Sequence, residues 1–196
     1  GTGTILSNPI AMIPSPKAEA TLQDRILSED DVRKMIFAAE MAGHRKDALF
    51  LKMLYYGAFR ISELLHLEWQ DIHEQGDKLR IFIRNGKGGK SRTIFISKNK
   101  LPELLECWYV GTYVLETRNG KPWHMNQAQR TIKRCAVRTN LPTDVSCHWL
   151  RHCHVTHSLK RGANIGLVSK TAGHSSMKIT SAYFHLLDDE SSSDYL

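Results

Sequence analysis

At 196 residues and 41% hydrophobic content, the chain can bury one sizeable core but has no room for two full domains. Its formal charge of +7 favours a polyanionic partner, and no apolar run approaches the roughly 20 residues that cross a bilayer, so a membrane role has no support. Four cysteines (Cys107, Cys135, Cys147, Cys153) form no CxxC pair and follow no secretory signal, which argues against a disulfide scaffold and for reduced thiols in a cytoplasmic, nucleoid-associated setting.

Residues 1–26 read as an interdomain linker, because Pro9, Pro14 and Pro16 in "SNPIAMIPSPK" block regular helix. A domain upstream is therefore expected. Ser28 with Asp31 forms a start resembling a capping box, after which Val32, Met35, Ile36 and Ala39 recur at helical spacing until Gly43. A second helix is predicted over 45–56, and "RISELLHL" as a short third one. In "KLRIFIRNGKGGKSRTIFIS" the period changes from helical to alternating, and "NGKGG" supplies the turn of a hairpin with a basic tip. Pro102 opens a helix expected over 102–117, and another covers 125–139. Further helices are predicted over 147–161, 164–172 and 176–187, with Gly162 and Gly173 as breaks. The fold class is α+β: a mainly α-helical domain with a small antiparallel sheet or hairpin inserted.

Basic charge concentrates in two places. Residues 78–100 hold eight Lys/Arg and no acid, so Lys78, Arg84, Lys90 and Arg92 are candidate DNA-binding residues. Residues 118–161 add nine basic residues against Asp144 alone. Residues 188–196 reverse the sign and read as an acidic tail.

"HWLRHCHVTH", residues 148–157, carries four of the ten histidines. His148 and His152 stand four apart, as helical zinc ligands can. However, Trp149 occupies the place of the HExxH glutamate, and Cys147 and Cys153 form no known ligand spacing. No metal is expected. His148 and Arg151, three apart, place a proton donor or acceptor beside a permanent guanidinium, which suits a phosphodiester. An isolated HxxR is more often a capping histidine and a surface ion pair. In "GAFRISELL", Glu63 one turn after Arg60 can hold that guanidinium's orientation. Lys87 sits in the hairpin turn, His174 just past Gly173, and Tyr183 nine residues on.

The order of these residues resembles the catalytic domain of the tyrosine recombinases, the phage integrase family. "HWLRHCHVTH" is similar to the family's HxLRH box and "AGHSSMKITSAYFH" to its LGHSS-x3-T-x2-Y-x-H box; the likeness spans about residues 25–187. Two positions depart from the pattern: Ala58 replaces a usual glycine and Ala172 a usual leucine. The resemblance implies a catalytic set of Arg60, Lys87, His148, Arg151, His174 and Tyr183, with Glu63 in support. Arg60 and Arg151 would bind the scissile phosphate, His148 would act as general base toward Tyr183, Lys87 would protonate the leaving 5′-oxygen, and His174 would donate to the phosphate. His152, His154 and His157 would be supporting or structural. The implied product is a 3′-phosphotyrosyl enzyme, made without metal, ATP or another cofactor.

The implied organisation is a linker at 1–26 whose upstream core-binding domain is absent, a catalytic domain at 27–187 and an acidic tail at 188–196. The implied partner is double-stranded DNA, bound by a homotetramer in a synapse, in the cytoplasm of a bacterium or on behalf of a phage. Two alternatives use the same scaffold: a type IB topoisomerase relaxing DNA through one nick, and a DNA-binding protein without catalysis.

Overall fold

The computed structural model describes residues 24–84, 91–106 and 111–184. The linker and acidic tail expected at 1–26 and 188–196 fall almost wholly outside these residues, as do Lys87 and Lys90.

Helix α1 (Glu29–Met41) opens where the sequence signals it: the Ser28 side chain accepts the Asp31 N–H, and three acidic residues occupy the first turn. It buries Val32, Met35, Ile36 and Ala39. Helix α2 (Arg45–Gly57) is the centre of the core; Ala48, Leu49, Phe50, Leu51, Met53 and Leu54 are all solvent-inaccessible. Each of the larger side chains contributes about 1.5–3 kcal/mol by leaving water. Helix α2 ends at Ala58, whose φ of 49° lies in the left-handed region. A glycine would take this conformation freely, so Ala58 carries strain of about 1 kcal/mol at the departure noted in the sequence.

Short α3 (Ile61–Leu65) follows, then a three-stranded antiparallel sheet of β1 (Ile72–Gln75), β2 (Lys78–Ile83) and β3 (Arg92–Ser97) in that order. The hairpin strands alternate as expected: Leu79 pairs with Ile96 and Ile81 with Ile94, all facing the core, while Lys78, Arg80 and Phe82 point outward. Strand β1 was not anticipated. Its sequence IHEQ buries only Ile72 and offers no alternation to read.

Helix α4 (Pro102–Glu106) begins at the expected proline, but the helix predicted to 117 does not reach it. Gly111 has a φ of 97°, and the Glu116 carboxylate accepts the N–H groups of Thr112 and Tyr113, taking the donors a helix would use. Tyr113 instead bridges to Glu68, and Glu116 to Pro122.

Helices α5 (Met125–Arg138), α6 (Cys147–Lys160) and α7 (Ile165–Ala172) match the predicted spans, whereas α8 (Met177–Ser181) is shorter than expected. Tyr183 therefore lies in the turn beyond α8 rather than on the helix. Helix α6 packs against α1, α2, α5 and α7, which brings Arg151 to the C-terminal end of α7.

Candidate active site

The four histidines of α6 divide by face. His154 and His157 fasten the helix to the fold: His154 Nδ1 lies 2.7 Å from the Tyr55 carbonyl, and His157 bridges the Leu27 carbonyl (Nε2, 3.0 Å) and the Tyr55 hydroxyl (Nδ1, 2.9 Å). A carbonyl only accepts, so His154 carries its proton on Nδ1 and His157 on Nε2, leaving His157 Nδ1 to accept from Tyr55. Cys153 joins them, its sulfur accepting the Leu27 N–H at 3.3 Å; burial pushes the thiol up to about 12. Leu27 is thus pinned to the helix bearing the HxxR pair.

His148, Arg151 and His152 face a cleft of about 190 Å³ together with Arg60, His174, Ser175, Ile179 and Tyr183. Five of the six residues expected to carry chemistry thereby meet in one place, the sixth being Lys87, outside the described residues. Arg151 is 4% exposed and binds two main-chain carbonyls, that of Ala58 and, at 2.5 Å, that of Ala172. Burial, and then the Arg60 charge, lowers its pKa to about 10, which leaves it cationic at neutral pH. Arg60 donates from Nη1 to Glu63 Oε1 (2.8 Å) and from Nη2 to the Gly173 carbonyl (2.5 Å). The Glu63 carboxylate also accepts the Arg60 backbone N–H at 2.9 Å. Burial alone would raise the pKa of Glu63, but hydrogen bonds from Arg92 and Arg60 outweigh it and hold the group ionised.

Tyr183 is 4% exposed, and its hydroxyl hydrogen-bonds His152 Nδ1. The resemblance implies His148 as general base toward this hydroxyl; in the structure the hydroxyl's hydrogen bond goes to His152, whose ring meets that of His148 edge-on at 4.3 Å between centroids. The His174 ring stacks on Tyr183 at 6.5 Å and 13°, and its Nδ1 lies 2.7 Å from Thr180 Oγ1. Burial lifts the Tyr183 hydroxyl to about 12 and depresses His152 to about 3 and His174 to about 4; nearby cationic groups add to the depression of both rings. His148, at the rim, is lowered by burial and by Arg151. In the free protein the proton therefore stays on Tyr183. The signal for His152 was present as the i,i+4 spacing from His148, but that spacing points equally to a metal pair. Among the described residues no group of three or more His, Cys, Asp or Glu could hold a metal ion.

These depressed imidazoles have a consequence for stability. His152, His154 and His174 titrate at about 3–4 when folded and near 6.5 when unfolded, so below 6.5 the unfolded chain binds protons that the native state refuses. Their contribution is whole above pH 6.5 and is lost as pH falls toward 4, at no more than about 1.4 kcal/mol per pH unit for each ring. Thermal unfolding at pH 7.5 and pH 5.0 is expected to show a Tm lower by several degrees in acid; a flat profile would contradict the buried neutral rings.

Of the basic residues assigned to DNA, Arg84 is half-exposed and bonded to Asp71 at 2.7 Å. Lys78 lines a separate groove with Tyr56, Phe95 and Leu167. Arg92 is not on the surface; its side chain is 9% exposed and lies beneath the cleft against Glu63. Helix α5 adds an outward face with Asn126, Gln129, Arg130 and Lys133 around a shallow depression.

The sequence pattern of the phage integrase family matches residues 25–190. The chain belongs to the phage integrase family. Among relatives, a tyrosine recombinase of Thermosipho africanus is 33% identical over 193 residues, covering 96% of this chain and 66% of its own length. The tyrosine recombinase XerD of Staphylococcus saprophyticus is 28% identical, covering 91% of this chain and 63% of its own. This phage integrase family member thus spans just under two thirds of the length of these relatives. Among solved structures, the XerH site-specific recombinase bound to palindromic difH substrate in a post-cleavage complex superposes with a TM-score of 0.74 at 20% identity, over 82% of this chain and 49% of that one. The XerA recombinase gives 0.70 at 23% identity, over 87% and 62%. At these identities the likeness is one of fold. No helix among the described residues is long and apolar enough to cross a membrane.

Proposed function

We propose that this chain is the catalytic portion of a site-specific DNA recombinase that cuts and rejoins strands through a 3′-phosphotyrosyl intermediate. The observation that carries the reading is the single cleft in which Arg60, Arg151, His148 and His174 surround Tyr183. Two guanidiniums and a phenol suit transesterification at a phosphodiester: cations for the pentacoordinate charge and a nucleophile that stores the bond.

In this scheme Tyr183 Oη attacks the scissile phosphorus, a P–O(Tyr) bond forms, and the bond to the 5′-oxygen breaks. The proton of the tyrosine passes to His148, and the leaving 5′-oxygen takes one from Lys87. Arg60 and Arg151 hold the non-bridging oxygens and His174 donates to one of them. The resting site is arranged against premature attack, since the hydroxyl is bound to His152 and its pKa is raised. A phosphate seated between the arginines would offset their charge and raise the proton affinity of the imidazoles, so activation would follow DNA binding. The hydroxyl would then exchange His152 for the phosphate.

Double-stranded DNA is the proposed partner, in keeping with the basic segments at 78–100 and 118–161. Lys78, Arg84 and the outward face of α5 would contact the backbone, and four copies would meet in a synapse in the cytoplasm. The test is covalent trapping: the protein is incubated with a nicked random-sequence duplex library, and SDS-resistant, protease-sensitive adducts are collected. Mass spectrometry should find DNA on the peptide containing Tyr183. Absence of adducts despite salt-dependent binding would favour a non-catalytic binder, and relaxation of supercoiled plasmid without strand exchange would favour the topoisomerase-type alternative.

A further inference from the structure

Three consecutive carbonyls at the end of α7 are each met by an arginine. Thr171 O accepts from Arg92 Nε at 3.0 Å, Ala172 O from Arg151 Nη2 at 2.5 Å and Gly173 O from Arg60 Nη2 at 2.5 Å. A helix leaves these carbonyls without intrahelical partners, and its dipole favours cations there. Arg60 and Arg151 border the cleft; Arg92 does not. Its two terminal nitrogens go to the two Glu63 oxygens, at 2.7 and 2.9 Å, and its side chain is almost fully enclosed. Arg92 therefore clamps the one carboxylate that orients Arg60, and at the same time the turn leading into His174.

Gly173 records how close this approach is. Its φ is 63°, and a Cβ placed on it would stand 2.8 Å from the Arg92 guanidinium carbon. The guanidinium fills the space that any other residue at 173 would need.

We propose that Arg92 is a positioning residue of this site: through Glu63 it fixes the reach of Arg60 toward the phosphate, and through the α7 terminus it fixes His174. The geometry requires a planar fork. A lysine could reach one Glu63 oxygen but could not bridge both and hold Thr171 O as well. Arg92 also contributes to holding His174 neutral, so its charge bears on the ring it helps to place.

The inference rests on the recombinase reading, and the experiment separates the two. Duplexes recovered from wild-type adducts are used to measure, for Arg92→Gln and Arg92→Lys, the single-turnover adduct rate at saturating DNA, the DNA affinity and the Tm. Outer supports of this kind are expected to be worth about 10- to 100-fold in rate, with affinity within about threefold of wild type. Arg92→Gln should slow the Arg60→Ala variant by clearly less than it slows the wild type, because the route through Arg60 is already lost there and only the one through the α7 terminus remains. A weakened affinity with an unchanged saturating rate would make Arg92 a DNA contact and overturn the proposal, and so would additive losses in the double variant. If the wild-type protein forms no adduct, the recombinase reading fails by itself. The clamp is then read by side-chain NMR, where Arg60 Nη signals resolved in the wild type should average in both Arg92 variants, and unchanged signals would refute it. Should Arg92→Gln not fold, the rate, affinity and NMR comparison is made with Arg92→Lys.

Discussion

Replacing Tyr183 by phenylalanine is expected to abolish covalent DNA capture, by at least about 10⁴-fold, while leaving DNA affinity unchanged. The hydroxyl oxygen is the only heavy atom removed, and it is the proposed nucleophile. Binding, by contrast, is proposed to rest on Lys and Arg side chains along the basic surface, which the substitution does not touch. The ring will stay where it is, held by the stack on His174 and by Val155, Leu159 and Val168 around it. The lost hydrogen bond frees His152 Nδ1, half-buried beside it, at a cost of about 1 kcal/mol or a Tm lower by about 2–4 °C. A denaturing gel and a thermal melt on the same samples check both parts. Surviving adducts would place the nucleophile elsewhere and remove the chemical role from Tyr183.

The extents of α1, α2, α5, α6 and the β2–β3 strands were legible in the sequence, α1 most directly from apolar residues at helical spacing behind a capping serine and the strands from their alternation. Those that failed are where backbone groups find side-chain partners instead. The stretch after α4 has helical-looking apolar content, yet one carboxylate, Glu116, takes two N–H donors and redirects the chain. Strand β1 has almost no pattern because three of its four side chains face solvent; the neighbouring β2 supplies its hydrogen bonds. Such outcomes depend on contacts across the chain, which no local window contains.

The site shows the same division. Residue types and order pointed to Arg60, His148, Arg151, His174 and Tyr183, and the fold brings these five to one cleft. Which histidine touches the tyrosine could not be read, since His148 and His152 share a helix face and differ only in depth: the former is at the rim, the latter within reach of the buried hydroxyl. Arg92 was legible as a basic hairpin residue and nothing more. Its role depends on β3 lying against the end of α7, a long-range packing that turns a residue otherwise taken for a DNA contact into an internal clamp.

Arg151→Ala should damage stability and activity together, because Arg151 joins the proposed chemistry to the fold. Its guanidinium serves the carbonyls of Ala58 and Ala172, which stand two residues before Arg60 and His174 of the cleft lining. Truncation leaves both acceptors without their donor in a buried setting, at about 1–3 kcal/mol each, and opens a cavity between them. A loss of about 3–5 kcal/mol is expected, visible as a denaturation midpoint shifted with unchanged slope. Activity should fall further than stability explains: at temperatures where the variant remains folded, the adduct rate is expected to drop by about 10³-fold through loss of a cation preset for the phosphate. Arg151→Lys separates the two effects, since an ammonium restores charge but can bond one carbonyl while facing the phosphate, and not both. Recovery of rate without recovery of stability would mean that charge is what the chemistry needs. Recovery of both would show that the two carbonyl bonds matter less than their geometry suggests, and failure of both would tie the phosphate site to the fork that bonds both carbonyls.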